Sequence, residues 1–66
     1  MNYKNLIYEI KRRGLSFEDF AKVVNIPIKH FLEVLKYGDD RLMYSDIKKI
    51  CEYFNLRYSA DYLFLK

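Results

Sequence analysis

Phe17-Glu18-Asp19-Phe20-Ala21-Lys22-Val23-Val24-Asn25-Ile26-Pro27-Ile28-Lys29-His30-Phe31-Leu32-Glu33-Val34-Leu35-Lys36 is the stretch that decides how this chain folds. It reads as two short helices that meet near a right angle across a tight turn. Such a pair needs a small residue where the helices come closest, and Ala21 supplies it. Four residues on, the turn needs a residue that tolerates a left-handed backbone, and Asn25 is one of the few besides Gly that does. Ile26 provides the apolar plug of the turn. Phe31 and Val34 are the bulky residues facing back. Pro27 stands where a helix begins, because its missing N–H is an orphan there anyway. The second of the two helices is therefore expected over Pro27 to Tyr37, with Gly38 as its stop.

Outward from this stretch, the same signals repeat. Ser16 is an N-cap residue with Asp19 three positions on, so the helix before Asn25 starts there. Glu18 and Asp19 suit the positive end of its dipole. Upstream, Tyr3, Leu6, Ile7 and Ile10 recur at helical spacing over about Asn2 to Arg13. Lys11, Arg12 and Arg13 lie in the last turn of that helix, and Gly14 ends it. Downstream, Gly38-Asp39-Asp40 is a turn. A fourth helix over about Met43 to Phe54 puts Met43, Ile47, Ile50, Cys51 and Phe54 on one face and Asp46, Lys48, Lys49 and Glu52 on the other. Asn55 ends it, and Ser59 caps a last short helix through Tyr62 and Leu63. The expectation is one all-α domain over residues 1–66, a compact bundle of five helices.

Composition narrows the function. The chain has 66 residues, with 12 Lys and Arg against 9 Asp and Glu, for a net charge of +3. That length holds one domain, whose core rarely supplies more than about 3–5 kcal/mol. Domains this small often add a disulfide, a metal or a partner subunit. A single Cys excludes an intrachain disulfide, and one Cys with one His cannot complete a four-ligand zinc site of the usual kind. A partner subunit is the support left open. Hydrophobic residues make up 52% and aromatic residues 18%, which marks a globular chain. No apolar run reaches membrane-spanning length, and Met1-Asn2-Tyr3-Lys4-Asn5 lacks the pattern of a secretory signal. With the free Cys51, this points to the cytoplasm and away from membranes. No acidic pair, nucleophile–base set or Gly-rich phosphate loop argues for catalysis, and no cofactor is expected. Cys51 reads as an inert core residue, and His30 as a boundary residue with no ligand set around it.

The order and spacing of these residues resemble the helix-turn-helix proteins related to phage repressors and Cro, the xenobiotic-response-element type. Arg13-Gly14-Leu15-Ser16 resembles the family's approach to its second helix. Phe20-Ala21 and Val24-Asn25-Ile26 resemble its Leu-Ala and Leu-Gly-Val. Ile47, Ile50, Cys51 and Phe54 match the apolar positions of its fourth helix, and Ser59-Ala60-Asp61-Tyr62-Leu63 its closing helix. The resemblance covers nearly the whole chain. It implies a lambda-repressor-like fold and a sequence-specific DNA-binding transcriptional regulator of phage or mobile-element type, with helix 27–37 in the major groove of double-stranded DNA. The implied base-facing residues are Ile28, Lys29, Leu32, Glu33 and Lys36. Lys29 or Lys36 would donate to guanine O6/N7 or to phosphate, Glu33 would accept from cytosine N4, and Ile28 or Leu32 would touch a thymine methyl. Ser16 and the backbone N–H groups after it would meet a phosphate. Arg12, Arg13 and Arg41 are further phosphate candidates. Phe17 stands where the family usually carries Gln, a DNA-clamping residue.

Each of these residues also has a plainer reading. Lys29, Glu33 and Lys36 suit a solvated face carrying i,i+4 and i,i+3 charge pairs. Ile28 and Leu32 suit edge-of-core packing, and Lys11-Arg12-Arg13 suits a helix C-terminus. The family's outer face is usually rich in Ser, Thr, Gln, Arg and Asn, whereas this one carries two aliphatics and a Glu. That departure keeps a second function open: a protein-interaction module, antirepressor or inhibitor, on the same fold. The C-terminus adds a further expectation. Tyr53, Tyr58, Tyr62, Phe64 and Leu65 exceed what a short last helix can bury against one small core, and Tyr suits interfaces. A homodimer through Tyr58, Tyr62, Phe64 and Leu65 follows, its two reading helices about one DNA turn apart.

Overall fold

Five helices follow one another without a strand: α1 (Lys4–Arg12), α2 (Phe17–Val23), α3 (Ile28–Tyr37), α4 (Tyr44–Tyr53) and α5 (Ala60–Leu63), with a 3-10 turn at Gly38–Asp40. They are described by a computed structural model covering all 66 residues. The all-α, five-helix expectation holds. Most boundaries fall where the local chemistry sets them. Ser16 Oγ accepts from the Asp19 N–H at 3.0 Å and starts α2. Ser59 Oγ accepts from the Tyr62 N–H at 3.1 Å and starts α5. Gly14 (φ +74°) ends α1, Asn25 (φ +60°) makes the turn between α2 and α3, and Asn55 (φ +55°) follows α4. The turn closes with the Ile26 N–H donating to the Ala21 carbonyl at 2.9 Å, which drives the Ile26 side chain into the core.

Phe20 sits at the centre of the core. Its ring meets those of Phe31 at 5.6 Å, Tyr53 at 5.2 Å and Phe54 at 6.0 Å, so one residue of α2 joins α3 and α4. Leu6 and Ile10 from α1, Val34 and Leu35 from α3, Ile50 from α4 and Leu63 from α5 complete the buried set. The radius of gyration is 10.4 Å, close to the roughly 11 Å of a folded domain this long. No helix is long and apolar enough to cross a membrane.

The chain start closes the end of α3. Asn2 donates its backbone N–H to the Leu35 carbonyl at 2.8 Å. Its side-chain Nδ2 donates to the Leu35 and Lys36 carbonyls at 3.2 and 3.1 Å. These are carbonyls that a helix C-terminus leaves unpartnered. Next to it, Tyr3 takes a left-handed backbone (φ +62°), buries its ring completely and donates its hydroxyl to Asp39.

Two expectations about α4 need correction. Met43 does not face the core: it is 53% exposed and precedes the first turn of the helix. Asp46 does not belong to the solvated face. It is buried, accepting the Met43 N–H at 2.9 Å and facing His30 at 2.8 Å. The physical reason is capping. Neither Leu42 nor Met43 offers a hydroxyl or carboxylate to the first turn, so the acid at the third helical position turns back to satisfy it.

Candidate functional site

α3 presents the residues that the sequence singles out. Phe31, Val34 and Leu35 are its buried face, and Lys29, Leu32 and Lys36 are exposed on the opposite side, with Glu33 half-buried beside them. Leu32 is 40% exposed, an apolar residue between two lysines. Ile28 packs against the core and follows its edge-of-core reading. Glu33 forms no ion pair with Lys29 or Lys36, since the ion pairs of the chain are Arg12–Glu9, Arg13–Glu9, His30–Asp46 and Lys66–Asp39. The charge-pair reading of this face is therefore not realised, and both lysines keep their donors free.

Three contacts hold α3 from behind. His30 Nε2–H donates to Asp46 Oδ2 at 2.8 Å and ties α3 to the first turn of α4. Lys49 Nζ reaches from α4 to the Asn25 carbonyl at 3.1 Å and secures the left-handed turn. Asn2 caps the far end. The outer face thus stands on a helix fixed at its start, its side and its end.

The phosphate candidates divide. Arg41 and Lys36 are exposed, and each rests on the ring of Tyr37, with Arg41 Cζ at 5.1 Å and Lys36 Nζ at 5.2 Å from its centroid. Arg12 is exposed and only loosely paired with Glu9, at 3.7 Å. Ser16 is exposed, its hydroxyl oxygen already serving as the α2 cap. Arg13 is a correction. Its guanidinium donates to Glu9 Oε1 at 2.9 Å and to the Glu9 carbonyl at 3.0 Å. It also lies over the Phe54 ring at 4.7 Å and the Tyr58 ring at 5.9 Å. Arg13 serves the fold, because a buried carboxylate has captured it. Phe17 is half-buried, its ring meeting Phe31 edge-on at 6.2 Å with Lys11 Nζ at 5.5 Å from it. It packs on the base of α3 more than it faces outward.

At the tyrosine-rich end, the aromatic rings pack largely within the chain. Tyr58 meets Phe54 edge-on at 5.5 Å and Tyr62 at a tilt at 5.4 Å, and Phe64 meets Tyr3 at 5.3 Å. Tyr62 donates its hydroxyl to Glu9 Oε2 at 2.9 Å. Of the four residues expected at an interface, Leu65 remains the most exposed, at 61%.

Glu9 is the residue that sequence reading passes over. Burial would raise its carboxyl, but hydrogen bonds from Arg13 and Tyr62, with the Tyr58 hydroxyl alongside, hold it below the usual carboxylate range. The same contact with Glu9 raises Arg13 and Tyr62. A sequence signal for it exists: Glu9 stands beside the apolar stripe of α1, with Arg13 one turn on. Tyr37 is a second such residue, and its sequence signal is an aromatic next to Lys36 with Arg41 four residues on.

Free donors on an exposed helix face, an apolar side chain between them and a rigid support suit contact with an anionic, grooved surface. Compared with family models, curated proteins and solved structures, the chain matches none.

Proposed function

We propose that this protein is a sequence-specific DNA-binding regulator that lays α3 in the major groove of duplex DNA. The observation that carries this reading is the outer face of α3. Lys29 and Lys36 lie two turns apart with unpaired ammonium groups, Leu32 lies between them, and the helix is braced by His30–Asp46, Lys49–Asn25 and Asn2. Lysines donate to guanine O6/N7 or to phosphate, Leu32 meets a thymine methyl, and Glu33 accepts from cytosine N4. Arg41, Arg12 and Ser16 contribute backbone contacts. Two copies joined through the C-terminal end, where Leu56, Leu65 and part of Tyr62 stay exposed, would read half-sites about one turn apart.

The test is binding to mixed-sequence duplex over a salt series. Affinity falls steeply as salt rises if several phosphates are neutralised, and absence of binding at low salt contradicts the proposal.

One observation favours a second reading, a protein-interaction module: Leu32, Tyr37, Met43 and Tyr44 are all apolar or aromatic and exposed. On that reading Leu32→Glu abolishes capture of a protein partner and leaves weak DNA binding unchanged. On the first it weakens DNA binding itself.

A further inference from the structure

Tyr37 ends α3 with its ring 47% exposed, and two cations rest on it: Lys36 Nζ at 5.2 Å and Arg41 Cζ at 5.1 Å from the centroid. Neither cation has an acidic partner. Glu33, one turn before Lys36, and Asp40, next to Arg41, form no ion pair with them. The backbone that carries Arg41 is fixed. Its N–H donates to the Gly38 carbonyl at 2.9 Å, and the Leu42 N–H donates to the same carbonyl at 3.2 Å. Gly38 itself sits at φ +71° with Asn2 packed against it. An aromatic face orients an ammonium or guanidinium within about 6 Å of its centre and leaves the N–H donors free for another acceptor.

Two unpaired, oriented cations on one ring, at the end of a helix that already carries Lys29 two turns earlier, make a row of positive charge. A row of cations fits a repeating anion better than an isolated carboxylate. We infer that Lys36, Tyr37 and Arg41 form a clamp on phosphodiesters of one strand of duplex DNA, with Tyr37 as the positioning residue that holds both cations in register with α3. This inference rests on the reading of α3 as a DNA-facing helix. The clamp anchors the C-terminal end of α3 and so sets how far the helix advances along the groove, while Lys29 and Leu32 are left to read base edges.

The experiment is fluorescence anisotropy of the full chain on a labelled mixed-sequence duplex over a potassium chloride series. The variants are Tyr37→Leu, Tyr37→Phe and the double variant Lys36→Ala/Arg41→Ala. The double variant flattens the salt dependence by about two phosphate contacts. Tyr37→Leu flattens it in the same direction and loses several-fold in affinity, although it removes no charge, and Tyr37→Phe behaves as wild type. All variants still melt cooperatively, within several degrees of the wild type, because the ring is about half exposed. A wild-type salt slope in Tyr37→Leu overturns the clamp and leaves the DNA reading standing. Equal losses in Tyr37→Phe and Tyr37→Leu make the hydroxyl the contact and overturn the positioning role. No binding by the wild-type chain overturns the DNA reading and the clamp with it.

Discussion

His30 on α3 and Asp46 on α4 meet through Nε2 and Oδ2 at 2.8 Å, and the same carboxylate accepts the Met43 N–H. One buried acid therefore caps α4 and braces α3. His30→Ala leaves that acid with a single partner and is expected to cost about 1–3 kcal/mol. Asp46→Ala removes both bonds and is expected to cost more. Urea unfolding of the two variants measures this. Equal midpoints in wild type and Asp46→Ala would sink the account.

Glu9 joins α1 to α5 across 53 positions, because Tyr62 donates to the carboxylate that also holds Arg13. Glu9→Ala leaves the partly exposed Arg13 guanidinium and Tyr62 hydroxyl without their acceptor, at a cost of about 1–3 kcal/mol, a large share of what so small a domain has to lose. Glu9→Ala is therefore expected to melt well below the wild type by circular dichroism. A cooperative melt near the wild-type temperature would contradict the assignment.

The same cluster sets a pH dependence. The Glu9 carboxyl lies below its ordinary value in the folded chain. Its contribution is thus fully present above the unfolded value, about 4.3, and is lost as pH falls through the lower folded value. Tyr62, raised first by its bond to Glu9, acts at the other end: its contribution is present below the ordinary tyrosine value, about 10, and fades as pH rises past it. Melting temperature against pH should fall on both sides, and Tyr62→Phe should reduce the alkaline loss. An alkaline limb identical to wild type in Tyr62→Phe would refute this role.

The helices and their stops were legible because they depend on neighbours in sequence. Ser16, Gly14, Asn25 and Ser59 act within a few residues, and the buried faces of α1 and α3 follow from spacing alone. What sequence reading missed depends on partners far along the chain. Asp46 reads as a solvated acid until α3 brings His30 to it. Arg13 reads as a free cation until Glu9, Phe54 and Tyr58 surround it. The tyrosines near the end read as a surplus until α1 supplies Glu9 and Tyr3 supplies a ring for Phe64. The outer face of α3 was legible as a set of residues. Its unpaired charges were not, since i,i+4 spacing permits a bridge that Lys29 and Glu33 do not form.

Gly38 gives a separate check on how α3 ends. Its φ of +71° disfavours any residue with a Cβ, and a Cβ there would lie 3.1 Å from Asn2 Cγ. Gly38→Ala is expected to cost about 1 kcal/mol or more, or roughly 4–8 °C in melting temperature for a domain this size. In the Asn2→Ala background the crowding part of that cost should shrink. An unchanged melting temperature in Gly38→Ala alone would count against this cap.

The most direct measurement of the central claim is a titration of the isotope-labelled chain with a short mixed-sequence duplex, followed by amide chemical shifts. The largest changes are expected at Lys29, Leu32, Lys36 and Arg41, with the buried face of α1 and the Glu9 cluster unmoved. Changes centred on α1 and α5, or none at low salt, would contradict that claim.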